Sequence, residues 1–268
     1  MRAQNDVTIP TPFGARQAFE ASGLTHPGVV REHNEDTWHI DMTCGLAIAA
    51  DGVGGHGDGA LASHAATRLI ARYLRRVFDH WPREKLYRTE EQERVLVRAI
   101  AFAHRSMVGR AGREDKSRRR GSTIAGIWAP GGAGAAATIF HVGDSRLYML
   151  REGKLLQLTR DHSAYEQWCA TGRNGAAPSK KYILQALGLS DRVVPSLQNI
   201  VPDANDRVLI CTDGLSGSVD DNDLAYALAA DSDLASSCDR LIGLGLSHDA
   251  KDNLTAVLCR FRPKMDSR

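Results

Sequence analysis

The sequence predicts a mixed α/β sandwich in which helices pack outside antiparallel sheets. The predicted order of elements is strand, two helices, several strands, helices and a final strand. Consecutive strands in the middle third are joined by tight turns, which favours antiparallel pairing over a parallel doubly wound sheet. Apolar runs without polar alternation indicate strands that are buried on both faces.

The elements can be placed in order along the chain. The run GLAIAAD predicts a buried strand, and a second helix is predicted from about Glu91 to Val108. The runs STIAGIWA, GAAATIFHVGD and SRLYMLREGKLLQLT predict an antiparallel meander, and RVLICTDG and NLTAVLCRF predict two later strands. The helix after the first strand has its apolar residues at helical spacing, which predicts one buried face: Leu61, Ala65, Leu69 and Tyr73.

Length and composition favour one domain. We expect it to span residues 21–262, after a partly ordered arm (1–20) and before a short tail (263–268). A formal charge of +2 gives no reason to expect a nucleic acid or a membrane as partner. Five dispersed cysteines, with no apolar run of signal-peptide or membrane-spanning length, lead us to expect a cytoplasmic monomer.

Carboxylates recur at the ends of the predicted strands. Three follow an apolar run and adjoin a glycine, and three more precede a strand: Asp51, Asp144, Asp213, Glu35, Asp36 and Asp252. Buried carboxylates are costly unless cations pair with them. A site with only oxygen donors favours Mg²⁺ or Mn²⁺ over zinc or copper. Gly52 leaves room for its carbonyl to reach a metal, and Arg31 is suited to hold a phosphate.

Each of these residues also has a simpler interpretation. A single Asp-Gly after a strand is most often an ordinary turn, and an arginine beside acids is often a surface ion pair. A structural Ca²⁺ site is a further alternative, although no EF-hand loop pattern occurs. The joint occurrence of the acids is what favours a metal site.

Seven short motifs follow one another between Ala21 and Phe261: REHNED, DGVGGHGDG, GST, VGDSRLY, LTRDHS, CTDGL and KDNLTAVL. Their order resembles that of the metal-dependent type 2C protein phosphatases, the PPM family, and DGVGGH resembles the form found in bacterial members. The resemblance implies a four-layer αββα sandwich of two mainly antiparallel sheets. It also implies hydrolysis of phosphoserine and phosphothreonine by a metal-activated water, with Mg²⁺ or Mn²⁺ as the cofactor.

The resemblance further implies roles for the acids. Asp51 would bridge two ions. Glu35 and the Gly52 carbonyl would hold one of them, and Asp213 and Asp252 would hold the other. A third ion, found in bacterial members, would take Asp144 and Asp213 as ligands.

Three residues would act beside the ions. Arg31 would clamp the phosphate, and Asp36 would hold a metal-bound water. His56 is the candidate general acid, and the alternative is that a histidine in a glycine-rich loop contacts only solvent or a carboxylate. The expected partners are phosphorylated Ser/Thr proteins, among them a cognate kinase and its substrates.

The sequence departs from the bacterial pattern at Val53 and Ala60, neither of which is a metal ligand in the family. Residues 164–181 match the flap region, but this segment is shorter and richer in glycine, which bears on substrate selection. Two alternatives are a catalytically silent phosphatase-like binding module and a regulatory phosphatase of a sigma-factor pathway. The sequence contains no G-x-S-x-G elbow, which argues against a serine hydrolase, and no P-loop motif, which argues against a P-loop NTPase.

Overall fold

Two antiparallel sheets pack face to face, and helices cover the outer face of each. The computed structural model describes residues 18–54, 58–109, 119–229 and 233–263. The arrangement confirms the predicted αββα sandwich. The first strand begins at Phe19, two residues before the predicted start of the domain.

The first sheet contains both ends of the described chain. Its strands are antiparallel to their neighbours. In spatial order they are β1 (Phe19–His26), β12 (Leu254–Phe261), β11 (Arg207–Cys211), β8 (Arg146–Arg151) and β9 (Lys154–Gln157).

The second sheet is also antiparallel throughout. In spatial order its strands are β10 (Ser196–Ile200), β7 (Ala137–Val142), β6 (Ile124–Trp128), β3 (Leu46–Ala50) and β2 (Thr37–Asp41). A short ribbon continues from one end of it: β4 (Gly52–Val53) and β5 (Gly121–Ser122).

The described helices fall into an outer layer on each sheet and a few short turns. The long ones on the second sheet are α1 (Asp58–His80) and α3 (Thr89–Val108), joined by α2 (Arg83–Leu86). The others are α4 (Ala164–Ala170), α5 (Asp213–Ser216), α6 (Asp221–Ala229) and α7 (Leu234–Ser247). None of the helices in the described ranges has the length and apolar character needed to span a membrane.

Strand β3 is buried on both faces, as its unbroken apolar run predicts. Leu46, Ile48 and Ala50 pack with the helices α1 and α3. Ala47 and Ala49 face the other sheet. The larger side chains therefore fill the space under the helices, and the small ones allow the two sheets to approach each other.

The buried face of α1 differs from the predicted one, which was wrong by about one residue. Leu61 is 60% exposed, and Leu69 and Tyr73 are only partly buried. Small residues form much of the true buried face and let the helix approach the sheet closely. The face of α1 that packs against the sheet is therefore not the face with the largest hydrophobic side chains. The buried residues are Gly59, Ala62, Ser63, Ala66, Thr67, Ile70, Ala71 and Leu74.

This correction predicts effects of different size for two similar substitutions. Leu74→Ala removes a fully buried side chain and should lower the free energy of unfolding by about 3 kcal/mol. Leu61→Ala, on the exposed side of the same helix, should change it by less than about 0.5 kcal/mol. Urea unfolding of both variants measures the difference, and equal losses would contradict the assigned face.

Candidate metal centre

The predicted carboxylates lie at one edge of the stacked sheets. In an antiparallel pair, the C-terminal end of one strand lies beside the N-terminal end of its neighbour. Asp51, which follows β3, therefore lies beside the segment that leads into β2, where Glu35 and Asp36 stand. In the other sheet, Asp213 follows β11 beside the start of β12, which Asp252 precedes.

Asp51 is at the electrostatic centre of this edge. Burial raises its pKa well above the ordinary value, and four neighbouring carboxylates raise it further: Asp36, Asp213, Asp144 and Asp252. Burial, and then Asp213 and Asp161, raise the pKa of Asp144 to about 7. Acids placed far apart in the sequence thus come close enough to disfavour one another's ionisation.

Hydrogen bonds to the main chain fix the position of Asp51. Its N–H donates to Thr123 Oγ1 at 3.0 Å, and its carbonyl accepts the N–H of Thr123 at 2.9 Å. The Thr123 hydroxyl also lies 2.6 Å from the Ser145 hydroxyl. The GST and GDS motifs therefore connect the Asp51 turn to the Asp144 turn.

Glu35 and the Gly52 carbonyl both lie against Gly59, the second residue of α1. The N–H of Gly59 donates to Glu35 Oε1 at 3.2 Å, and the N–H of Gly52 donates to the Glu35 carbonyl at 3.1 Å. A Cβ on Gly59 would lie 2.7 Å from both the Glu35 carboxyl carbon and the Gly52 oxygen. This close approach requires glycine at position 59.

The Asp36 side chain is almost completely buried, but only one of its two carboxylate oxygens accepts hydrogen bonds. Its Oδ2 accepts hydrogen bonds from Thr212 Oγ1 at 2.7 Å and from Thr255 Oγ1 at 2.6 Å. Its Oδ1 has no hydrogen-bond partner among the residues that the structure describes. Burial, only partly offset by these two hydrogen bonds, raises the pKa of Asp36 to about 7. An oriented carboxylate with one free acceptor is suited to hold a water molecule.

Arg31 lies on the loop after β1 and reaches the acidic edge. Its Nη2 is 2.8 Å from Asp252 Oδ2, and about half of its side chain is exposed. Asn253 holds this loop, because its Nδ2 donates to the carbonyls of Pro27 and His33 while its Oδ1 accepts the N–H of Glu35. The loop that carries Arg31 is thus connected to the start of β12.

A cleft of about 600 Å³ opens beside Asp144, Asp213 and Asp252. The end of the predicted flap contributes Lys180 and Lys181 to its lining. Lys181 is close enough to lower the pKa of Asp213, although burial and Asp252 raise that pKa more strongly. The flap therefore brings positive charge towards the acidic edge.

The motifs DGVGGHGDG and LTRDHS contain one histidine each, His56 and His162. His56, the candidate general acid, lies outside the described residues. His162 lies under the flap, where its Nδ1 accepts the N–H of Gly143 and its Nε2 is 2.9 Å from the Ser196 hydroxyl. Burial lowers the pKa of His162 to about 4, which fits a neutral structural side chain.

The donor set fits hard divalent cations. Carboxylates that raise one another's pKa require positive charge, and the nearby side chains Arg31 and Lys181 supply part of it. Within the described ranges, no three or more His, Cys, Asp or Glu side chains are arranged to hold an ion by themselves. The Gly52 carbonyl and the unpaired Asp36 oxygen offer further oxygen donors, as Mg²⁺ and Mn²⁺ prefer.

Several residues that shape this edge were quoted in the motifs without a role. Thr212, Thr255 and Asn253 are buried and hold Asp36 or the Arg31 loop. The signal that could have identified them is a polar residue inside or next to an apolar run, as in LICTDG and DNLTAVL. Such residues are retained in a core when they have a specific hydrogen-bond partner.

Comparison with known proteins gives one consistent family. The family model for Protein phosphatase 2C matches residues 29–259. The chain is 31% identical over 250 residues to the serine/threonine phosphatase stp of Listeria welshimeri. The aligned region covers 90% of this chain and 95% of that protein. The structure is similar to that of PppA, a key regulatory component of T6SS in Pseudomonas aeruginosa, with a TM-score of 0.78 and 28% sequence identity. The match covers 92% of this chain and 99% of PppA. The structure of the catalytic domain of PstP in complex with 2 manganese ions matches with a TM-score of 0.73 and 29% sequence identity. This match covers 91% of this chain and 98% of the PstP domain.

The raised pKa of Asp144 predicts a pH-dependent cost in the metal-free protein. A carboxyl whose pKa rises on folding destabilises the folded state as the pH rises from about 4 towards 7. In EDTA, Asp144→Asn should therefore match the wild type near pH 4 and exceed its stability at pH 8 by on the order of 3 kcal/mol.

Urea unfolding of the two proteins at each pH measures this difference. Buried histidines such as His162 titrate in the opposite sense, so only the difference between the two proteins at one pH is informative. Asp239→Asn, at an exposed position of α7, is the control and should show no such trend. A difference between Asp144→Asn and wild type that stays constant with pH would contradict the prediction.

Proposed function

The chain belongs to the protein phosphatase 2C family, and we propose that its clustered acids hold two divalent cations at the edge of the sandwich. The protein is a metal-dependent protein serine/threonine phosphatase. The observation that carries the proposal is the group of buried and partly buried carboxylates around Asp51 that raise one another's pKa. Such a group is stable in the ionised form only with cations.

The proposed ligands follow from their neighbours. Asp51 would be a ligand of both ions, because acids of both sheets are close enough to raise its pKa. Glu35 and the Gly52 carbonyl, which meet at Gly59, would hold one ion. Asp213 and Asp252 would hold the other, and Asp144 with Asp213 would hold a third. Either Mg²⁺ or Mn²⁺ fits these oxygen donors.

When bound, divalent ions at this site would supply an activated water and would neutralise charge on the phosphoryl oxygens. The chain's own part is to orient the reactants. Asp36, held by two threonine hydroxyls, presents its free Oδ1 as an acceptor that orients a water. Arg31 presents several parallel N–H donors, which match the oxygens of a phosphate monoester. His56 remains the proposed proton donor to the leaving serine or threonine oxygen.

Arg31 has two alternative acceptors in this proposal. In the structure its guanidinium binds Asp252 at 2.8 Å. A cation at Asp252 would compete for that carboxylate, and the half-exposed guanidinium would then be available to a phosphate. The ion pair thus keeps the arginine close to the acids until substrate and metal are both present.

The flap is proposed to contact the peptide around the phosphorylated residue. It begins with α4, whose cap is the Ser163 hydroxyl accepting the N–H of Glu166. It ends at Lys180 and Lys181, which line the same cleft as Asp213 and Asp252. Its short, glycine-containing form would therefore affect which phosphopeptides fit.

The proposed setting is a cytoplasmic monomer that opposes a bacterial Ser/Thr kinase. The relatives from Listeria welshimeri and Mycobacterium tuberculosis are named serine/threonine phosphatases, which supports phosphoproteins as substrates. A silent binding module is not favoured, because the acids at the sheet edge are all present. Phosphate release from the kinase that the bacterium encodes would be the direct assay of this pairing.

Removing a proposed ligand should abolish metal-dependent turnover. Asp51→Ala and Asp213→Ala should each lower Mn²⁺-dependent phosphate release from a phosphothreonine peptide by at least about 100-fold, since even residues that only orient ligands cost 10–100-fold. Asp239→Ala, an exposed aspartate on α7, is the matched control and should keep full activity. Undiminished turnover after metal removal by EDTA would refute the mechanism.

Arg31 can be tested separately from the metal. Arg31→Ala should weaken inhibition by inorganic phosphate and lower kcat/KM for the phosphopeptide by about 10- to 100-fold, because a charged hydrogen-bonded partner is lost. Arg31→Lys keeps the charge without the planar fork and should recover only part of this loss. If the arginine served only its ion pair with Asp252, the phosphate inhibition constant would stay unchanged in both variants.

A further inference from the structure

A row of arginines runs along the exposed side of α1, away from the acidic edge. Arg68, Arg72 and Arg76 are all exposed and stand four residues apart; we call them the basic stripe. Residues four apart are neighbours on a helix surface, and each step advances about 6 Å along the axis. The stripe therefore presents three guanidinium groups over about 12 Å of helix.

The neighbouring Arg75 shows how the same helix pairs an arginine when pairing is structural. Arg75 Nη1 donates to both oxygens of Asp41 at 3.0 Å, and its Nε donates to Asp79 at 3.1 Å. It thereby fastens α1 to the end of β2.

The stripe arginines have no such partners. In the part of the chain that the structure describes, no carboxylate lies within ion-pairing distance of any of the three. The contact that Arg68 makes is with the imidazole of His64, at 3.4 Å.

The stripe is unfavourable for the helix on its own. Like charges at a spacing of four residues repel each other and weaken a helix. The whole chain carries a formal charge of only +2, so this is a local concentration of positive charge and not a property of the entire surface. An anionic partner would convert the repulsion into attraction.

Grooves on both sides of the stripe provide room for a chain to lie along it. The groove towards β2 has a volume of about 750 Å³. Ala65 and Leu69 are part of its lining, together with Asp41 and Asp79, whose charges are paired with Arg75. The groove towards α3 has a volume of about 400 Å³ and is lined in part by Tyr73, Trp81 and Phe102. Apolar surface beside the charges suits a polypeptide, whose backbone and small side chains can pack there.

We propose that the basic stripe binds an extended acidic segment of a partner protein, with carboxylates at alternate positions. In an extended chain, residues i, i+2 and i+4 point to one side and span about 13 Å. This length matches the 12 Å or so between the first and last arginine of the stripe. Arginine binds carboxylates through two parallel donors, so each guanidinium can take one acidic side chain.

The proposal is tested by peptide binding. The probe is a fluorescently labelled peptide with three glutamates alternating with alanines, compared with a peptide of the same composition whose glutamates are contiguous. Fluorescence anisotropy at low ionic strength gives the dissociation constants. We expect the alternating peptide to bind wild type more tightly, and added salt to weaken it.

Two triple variants have identical changes in net charge. In the first, Arg68→Gln, Arg72→Gln and Arg76→Gln remove the stripe. In the second, three exposed arginines of α3 are replaced: Arg94→Gln, Arg98→Gln and Arg105→Gln. The stripe variant should bind the alternating peptide at least about tenfold more weakly, and the α3 variant should bind it like wild type. Hydrolysis of p-nitrophenyl phosphate, which has no acidic segment, should be unchanged in both and reports that the site is intact.

The remaining outcomes overturn the proposal. Equal binding by wild type and the stripe variant, or an equal loss in the α3 variant, would show that the stripe is not the binding surface. Equal affinity for both peptides would refute the alternating register. Tighter binding of duplex DNA or of phosphatidylserine vesicles, lost in the stripe variant, would assign the surface to a nucleic acid or a membrane instead of a protein segment.

Discussion

Repulsion among buried carboxylates is the constraint on which the functional edge depends. Asp51 lies among other acids, and four of them raise its pKa. The fold keeps them together with hydrogen bonds to the main chain, such as those between Asp51 and Thr123, more than with internal cations. Folding therefore stores an unfavourable charge arrangement that a bound cation relieves. Metal affinity and fold stability are two consequences of the same cluster.

The edge also depends on places where two backbones nearly touch. A Cβ on Gly52 would overlap the Gly59 carbonyl, and a Cβ on Gly214 would overlap the Asn253 carbonyl. The first contact packs the start of α1 closely against the Glu35 loop, and the second packs the Asp213 turn closely against the start of β12. Glycine at these positions is thus a requirement of packing, which brings acids of separate strands to one place.

Much of this could be predicted from the sequence, because buried strands that end in aspartate give a strong local signal. Apolar runs and the turns between them predicted the strands β3, β6, β7, β8, β9, β11 and β12, and an aspartate follows β3, β7 and β11 within two residues. The strands β1, β2 and β10 were not, since their residues are only partly buried and show no clear apolar pattern. Asn253 and the threonines around Asp36 could not be assigned, because their roles depend on partners more than 170 residues away in the chain.

The helix α1 links the acidic edge to the basic stripe as one rigid element. Its first turn donates the Gly59 N–H to Glu35, where the positive end of the helix dipole favours an anion. Arg68 follows nine residues later, about 14 Å along the axis. At about 3.6 residues per turn, nine residues also place Arg68 on the opposite side of the helix from the Gly59–Glu35 contact. One continuous helix therefore holds the stripe at a fixed offset from the acidic edge, and a partner segment on the stripe would be positioned relative to that edge by α1 itself.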